Sequence, residues 1–260
     1  MLEPMHYVDR GYGQPVVFSH GTLMDWSMFN PQLAALEDRY RVVAFNHRAR
    51  TADYISSYKL DDLVEDCRAF LDQLEINTCV LAGMSMGGFM ALEFALRYPE
   101  RLNGLILIST YAGAYSAEER QQYGEAFGAL NTDSLVPRPF AEWVAGLCFG
   151  PSTYADNPAL ISKWVDKWCE IPARSVYCEV NSWLDKRDLT AELQHLSIPS
   201  LIVHGQEDAV LPLSHAAQPM ADGLPDVAMT PVPRAGHTVN LEQAETVNAA
   251  IDQFLRSRIA

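Results

Sequence analysis

The stretch VLAGMSMGGFMALEFALRYP, from Val80 to Pro99, changes character at a single serine. An apolar run ends at Gly83, Ser85 stands between two methionines, and a sequence with helical character follows the next two glycines. The change from one pattern to the other predicts a buried strand that turns into a helix at Ser85.

Residues 83–87 also match the pattern G-x-S-x-G. In a nucleophile elbow of this kind, the serine takes a strained backbone conformation that exposes its hydroxyl, and the glycines remove Cβ atoms that would collide. A glycine-rich turn with a capping serine would match the same letters. The position between a strand and a helix favours the elbow, and with it a catalytic role for Ser85.

The rest of the chain repeats the alternation of strand and helix. Its short apolar segments are apolar throughout, which is typical of parallel strands that are covered on both faces. These segments are Pro15–Gly21, Tyr40–Asn46, Thr78–Ser85, Leu102–Thr110, Ser200–Asp208 and Val227–Pro233. Amphipathic helices are predicted over Leu60–Leu74, with its acidic residues facing away from the apolar stripe, and over Leu241–Leu255. The predicted fold class is α/β, with a doubly wound and mostly parallel sheet.

The alternation stops between residues 111 and 197. Four helix-like segments follow one another there without a buried strand, and four of the five tryptophans lie in them. We therefore predict a core made of residues 1–110 and 198–260, with residues 111–197 inserted as a helical lid.

Composition excludes several classes of function. The net charge of −14 disfavours binding to nucleic acid or to anionic membranes. Five cysteines without a C-x-x-C pair indicate free thiols and no structural zinc site. Without a signal-like N-terminus or a long apolar span, a cytoplasmic protein is expected, and assembly into a homo-oligomer is left open.

A serine nucleophile needs a histidine base and an acid that orients it. His237 lies in a glycine-containing loop between the last predicted strand and the last helix, which favours it over a helix-capping role. His20 and His204, at strand ends, are predicted to make buried structural hydrogen bonds. Three further histidines are predicted at the surface: His6, His195 and His215.

The acid is expected between the serine and the histidine in chain order. Asp208 ends a predicted strand and is preferred to its neighbour Glu207 because adjacent side chains point in different directions. An oxyanion also needs hydrogen-bond donors. The backbone N–H of Met86, at the start of the helix, and that of Thr22, after His20-Gly21, are the candidates.

With these residues in this order, the chain resembles the α/β-hydrolase superfamily over nearly its whole length. The blocks PVVFSHG, GMSMGG, ALRYPERLNGLILIST, IPSLIVHGQEDAVLP and AGHTVNLEQ carry the resemblance. GMSMGG is most similar to the branch with 3-oxoadipate enol-lactonases, cofactor-free haloperoxidases and small carboxylesterases. Where relatives have D-x-R-G-x-G-x-S, residues 46–53 read NHRARTAD and lack both glycines, and only one N-terminal strand, about Met5–Val8, is expected.

The resemblance and the residues together predict a serine hydrolase that acts on an ester or lactone of a small, apolar substrate, without a cofactor or a metal. A C–C bond hydrolase, a perhydrolase and a non-catalytic binding protein stay as alternatives. Lid core packing is preferred for Trp164 and Trp168, and solvated positions for Lys163, Lys167 and Arg174. The candidate substrate contacts are Met24, Trp143, Trp164, Trp168 and Trp183.

Overall fold

A computed structural model describes residues 6–51 and 56–259. Seven strands form one sheet in the order β1-β3-β2-β4-β5-β6-β7, in which only β1 is antiparallel to its neighbour. The strands are β1 (Tyr7–Arg10), β2 (Pro15–Ser19), β3 (Arg41–Phe45), β4 (Cys79–Met84), β5 (Leu102–Ile108), β6 (Ser200–Gly205) and β7 (Val227–Val232). The predicted fold class and the six apolar strands are thereby confirmed. The expected N-terminal strand is found slightly later in the chain, and Met5 lies outside the described residues.

Helices cover both faces of this sheet, as the apolar character of its strands requires. The helices that follow a strand of the sheet are α1 (Asn30–Leu36), α2 (Leu60–Gln73), α3 (Met86–Arg97), α9 (Ala217–Gly223), α10 (Val239–Glu242) and α11 (Ala244–Arg258). In the described residues, we find no helix with the length and apolar character that crossing a membrane requires. None of the five cysteines in that part of the chain is in a disulfide.

The strand-to-helix turn at Ser85 is built without Cβ atoms around it. A Cβ at Gly83 would overlap the carbonyl group of Gly87, and one at Gly87 would overlap the carbonyl of Ser19. Ser85 itself has φ 51° and ψ −116°, a strained conformation for a residue with a side chain. The sharp turn therefore depends on glycine at these two positions.

We expect Gly83→Ala to lower the free energy of unfolding by about 3 kcal/mol, because the added methyl group meets backbone that cannot move aside. Gly128→Ala is the matched control, since a Cβ at Gly128 has no neighbour within 4 Å. That control should leave stability within about 0.5 kcal/mol of the wild type or raise it. Urea unfolding measures both, and equal stabilities for the two variants would contradict this account of the turn.

Residues 109–199, between β5 and β6, contain no strand and form what we call the helical insert. Its only β-type pairing among these fully described residues is an isolated bridge between Leu135 and Pro172. The helices are α4 (Ala117–Gly128), α5 (Arg138–Cys148), α6 (Pro151–Asp156), α7 (Pro158–Trp168) and α8 (Ala173–Trp183). The four predicted helical segments correspond to α4, α5, α7 and α8.

Two details of the helix predictions are wrong. The C-terminal helix is interrupted at Gln243, because Glu242 is drawn into hydrogen bonds with Gly150 N, Gly236 N and the Thr153 hydroxyl. Asp66 of α2 is buried instead of facing away, because it pairs with Arg48 at 2.5 Å. Both changes result from contacts with residues far away in the chain.

Residues 46–53 lack the two glycines that relatives have in the pattern D-x-R-G-x-G-x-S. Arg48–Arg50 forms a single 3₁₀ turn, and none of the described residues of this segment has a positive φ. Ala52 and Asp53 lie outside the described residues. Over residues 46–51, the chain therefore makes no left-handed turn for which glycine would be needed.

Candidate active site

Ser85 lies at the carboxyl end of β4, on the sheet edge where ligands bind in open α/β folds. Its backbone is held on both sides: its N–H donates to Ile108 O at 3.0 Å, and its carbonyl accepts from the Thr110 hydroxyl at 2.8 Å. The side chain is half-buried and lines a cavity that His237 also lines. The serine is therefore rigidly placed and open to a small molecule.

Asp208 and His237 meet across the loops that follow β6 and β7. His237 Nδ1 donates to Asp208 Oδ2 at 2.8 Å, and both side chains are almost fully buried. Because Nδ1 carries the proton in this pair, Nε2 is the ring nitrogen that can accept one. The 208–237 contact selects Asp208 over Glu207 as the partner of this histidine.

The carboxylate of Asp208 is held ionised. Burial by itself would raise its pKa, but the electrostatic interaction with His237 and hydrogen bonds from His204 and His237 outweigh burial and keep the pKa well below its usual range. Asp208 Oδ1 also accepts the backbone N–H groups of Val210 and Leu211, at 2.9 and 2.8 Å. The side chain is thus fixed in both orientation and charge.

Two neighbours of Asp208 have structural roles. His204 is fully buried, and its Nε2 lies 2.7 Å from Leu211 O and 3.3 Å from Asp208 Oδ2, so the predicted buried hydrogen bond is confirmed. Glu207 turns instead toward the helical insert, where it accepts from Ser152 N at 2.9 Å and from the Ser152 hydroxyl at 2.5 Å. The surface positions predicted for His6, His195 and His215 are also confirmed.

The loop after β2 passes close to Ser85, and its Thr22 lines the same cavity. A Cβ placed on Gly21 would be 3.2 Å from Ser85 Cβ, so the two backbones are in close contact. In the described part of the chain, neither Thr22 N–H nor Met86 N–H has an acceptor. The two donors proposed for an oxyanion therefore remain available beside the serine.

The buried side chain of His20 holds this loop by hydrogen bonds. His20 Nδ1 donates to Gly21 O at 2.8 Å, and His20 Nε2 accepts from His47 N at 3.0 Å. Burial and the nearby Arg50 charge lower the pKa of His20 to about 3, so the ring stays neutral. The buried structural role predicted for His20 is confirmed.

The cavity beside Ser85 is small and mostly apolar, with a volume of about 160 Å³. The core and the insert both contribute to its wall, and none of the described lining residues is a Lys, Arg, Asp or Glu. Two of the candidate substrate contacts, Met24 and Trp183, are in this wall. Sequence reasoning missed four aromatic residues of the wall: Phe89, Tyr115, Tyr123 and Phe127. Tyr123 and Phe127 are four residues apart on α4, a spacing that could have indicated a shared helix face.

Three of the candidate tryptophans do not line this cavity. Trp164 and Trp168 are buried in the insert, with ring centroids 6.4 Å apart, so core packing describes them. Trp143 is 45% exposed and packs on Phe127 and Phe140 from the outside. The three cations predicted at solvated positions do not line this cavity either: Lys167 pairs with Asp25, Arg174 pairs with Asp133, and Lys163 is exposed.

Lys186 is a buried lysine behind the aromatic wall. Its Nζ lies 4.6 Å from the ring centroid of Phe89 and donates to the carbonyls of Tyr111 and Gly113. Burial lowers its pKa to about 7. The neutral amine has two hydrogens, which match these two carbonyl acceptors.

This shift predicts how stability depends on pH. The folded protein releases the Lys186 proton near pH 7, whereas an unfolded lysine keeps its proton up to about pH 10.4, so unfolding takes up a proton in between and stability rises with pH. Between pH 7 and 9, the wild type should gain about 2 kcal/mol relative to Lys186→Met. Urea unfolding at the two pH values measures this, and a constant difference would contradict it.

The chain belongs to the alpha/beta hydrolase fold family, whose model matches residues 14–244. One relative is the 3-oxoadipate enol-lactonase 2 of Acinetobacter baylyi, 27% identical over 93% of this chain and 88% of that protein. A thermophilic esterase from Thermogutta terrifontis, solved with malate bound, superposes with a TM-score of 0.92 at 29% identity, covering 98% of this chain and 94% of the other. A bromoperoxidase from Bacillus anthracis has the same fold, with a TM-score of 0.85 at 20% identity over 97% and 95% of the two chains. The resemblance drawn from the motifs is thereby confirmed, and the protein is a hydrolase of the α/β family.

Proposed function

We propose that this protein is a serine hydrolase that cleaves a carboxylic ester or a lactone through an acyl-enzyme on Ser85. One observation carries the proposal: a strained serine and a histidine line the same cavity, and that histidine donates to a buried aspartate at 2.8 Å. The esterase and lactonase relatives support the same class of reaction.

In this mechanism, the Ser85 hydroxyl attacks the substrate carbonyl while His237 Nε2 takes its proton. The carbonyl oxygen becomes an oxyanion that the N–H groups of Thr22 and Met86 stabilise. His237 then protonates the departing alkoxide oxygen, which leaves as an alcohol or stays as the hydroxyl end of an opened lactone. A water molecule, deprotonated by the same imidazole, releases the acid and restores the serine.

The wall of the cavity supports a small, uncharged substrate. A volume of about 160 Å³ is below the 300–1,000 Å³ of pockets for drug-sized ligands. An acidic substrate would lose hydration without finding a lysine or arginine partner among the described lining residues. We infer that the insert, predicted as residues 111–197, acts as a lid over the core predicted as residues 1–110 and 198–260.

A substrate panel tests the proposal against its alternatives. It contains p-nitrophenyl acetate and butyrate, an uncharged lactone, a lactone with a free carboxylate, a β-diketone, and acetate with hydrogen peroxide. We expect turnover of the esters and the uncharged lactone, with kcat/KM at least about tenfold lower for the carboxylate-bearing lactone. Turnover of the diketone alone would point to C–C cleavage, and peracid formation alone to a perhydrolase. Binding without turnover of any compound would point to a receptor.

A further inference from the structure

We propose that helix α8 of the insert positions the oxyanion loop, and that Glu179, held by Arg50, is the positioning residue. By oxyanion loop we mean residues 21–24, which include the proposed donor Thr22. The inference rests on the proposed function, because it concerns the same oxyanion. It links the insert directly to the catalytic geometry of the core.

Glu179 and Arg50 bracket the backbone of this loop. Glu179 Oε2 accepts the N–H of Leu23 at 3.0 Å and an N–H of Arg50 at 2.5 Å. Arg50 Nε in turn donates to the carbonyl of Met24 at 2.9 Å. The Glu179–Arg50 ion pair therefore holds the N–H of Leu23 and the carbonyl of Met24, the two residues directly after Thr22.

The loop needs this support because its backbone is strained. Leu23 has φ 65°, in the left-handed region that residues with a side chain rarely adopt. Such conformations persist only when surrounding contacts hold them. If Leu23 relaxed to an ordinary conformation, the peptide group between Thr22 and Leu23 would rotate. Thr22 would move with it, and its N–H, the proposed donor, would turn away from the oxyanion.

A second contact comes from the same helix, one turn later. Trp183 Nε1 donates to the Thr22 hydroxyl at 3.0 Å, four residues after Glu179. Residues four apart share one face of a helix. One face of α8 thus holds two consecutive residues of the oxyanion loop, so displacing α8 would release both.

A contribution to stability does not explain why the Glu179–Arg50 ion pair is buried. Its side chains are 0% and 6% exposed, for Glu179 and Arg50 respectively. Replacing a buried ion pair with apolar side chains of similar size is often neutral or stabilising, because the charges lose their hydration on burial. What apolar side chains could not supply here is an acceptor for Leu23 N–H and a donor for Met24 O.

The double variant Glu179→Met/Arg50→Met tests this directly. The melting temperature should fall by no more than about 5 °C, because removing two buried charges offsets part of the loss of the two backbone hydrogen bonds, while kcat for p-nitrophenyl acetate falls about 10- to 100-fold, as misplacement of a catalytic group by an ångström predicts. KM should stay within about threefold, since ground-state binding does not use the oxyanion. Affinity for a trifluoromethyl ketone, whose adduct carries the oxyanion, should fall in parallel with kcat/KM.

A neighbouring ion pair supplies the matched control. Arg48 and Asp66 are also joined at 2.5 Å, at 16% and 4% exposure, and Arg48 is in the same 3₁₀ turn as Arg50. Arg48 donates to both carboxylate oxygens of Asp66 and to the carbonyl of Asp62, which belong to α2 and not to the oxyanion loop. Arg48→Met/Asp66→Met should leave kcat within about threefold, since no transition-state contact is removed. If the first double variant does not fold, Trp183→Phe replaces it, with an expected loss in kcat of about 5- to 10-fold as one hydrogen bond to Thr22 disappears.

The outcomes separate this inference from the proposed function. Wild-type kcat in the folded variant, or equal losses in the two double variants, would overturn the positioning role while leaving the serine mechanism intact. A fall in kcat only in proportion to a lower melting temperature would also overturn it. Absence of any ester turnover and of any trifluoromethyl ketone binding by the wild type would instead overturn the proposed function, and this inference with it.

Discussion

Ser85→Ala should lower kcat/KM for p-nitrophenyl acetate by at least about 10³-fold, as loss of a nucleophile in a triad does. Removing the hydroxyl leaves the cavity and the two backbone donors in place, so binding of substrate should change little. Steady-state kinetics on the purified variant measure the effect. Retention of activity near the wild-type rate would sink the assignment of Ser85.

Ser109→Ala is the control for this experiment. Ser109 also follows a strand of the sheet, is fully buried and has a positive φ of 41°, but it is not among the residues that line the cavity. The activity of the Ser109→Ala variant should stay within about threefold of the wild type, because no group in contact with the substrate is lost. Equal losses in the two serine variants would indicate a general disturbance of the sheet edge.

Asp208→Asn should reduce kcat by about 10⁴-fold, because the amide no longer fixes the proton on His237 Nδ1 or stabilises the imidazolium. Glu207→Gln removes the adjacent carboxylate, which contacts Ser152 and not the histidine, and should cost less than about threefold. Circular dichroism checks that both variants fold. If Glu207→Gln is the more damaging change, the acid has been misassigned.

The depressed pKa of Asp208 also has a consequence for stability. Because its carboxyl loses its proton more readily in the folded state, the ionised form stabilises the protein above the unfolded pKa of about 3.9. That contribution is lost as the pH falls through the lower folded value. Between pH 5 and 8 the aspartate stays charged, so its own titration should not change the activity within that range.

The catalytic candidates were accessible from sequence because each is marked by its local surroundings. Ser85 sits between a buried strand and a helix, Asp208 follows another strand, and His237 precedes the last helices. In a parallel sheet, the carboxyl ends of the strands share one edge, so these signals also predict proximity. The order of residues in the chain does not distinguish Glu207 from Asp208 as the acid. In the structure, Glu207 contacts Ser152 instead of the histidine.

The support of the oxyanion loop could not be predicted in the same way. Glu179 and Leu23 are 156 positions apart, and in the sequence Glu179 is one more polar residue on an amphipathic helix. Arg50 lies in the segment that lacks the two glycines, and no sequence pattern there indicates its contact with the loop. The tryptophans show the same limit, since a helical spacing places Trp164 and Trp168 on one face without saying what that face contacts.

The central claim is that Ser85 is a nucleophile activated by His237, and mass spectrometry after reaction with a fluorophosphonate tests it most directly. The wild type, incubated with the reagent in the presence of EDTA, should gain one phosphonyl group, and peptide mapping should place that group on Ser85. The Ser85→Ala variant should gain none, and His237→Ala should react far more slowly. An unmodified wild-type protein, or equal labelling of the Ser85→Ala variant, would contradict the account.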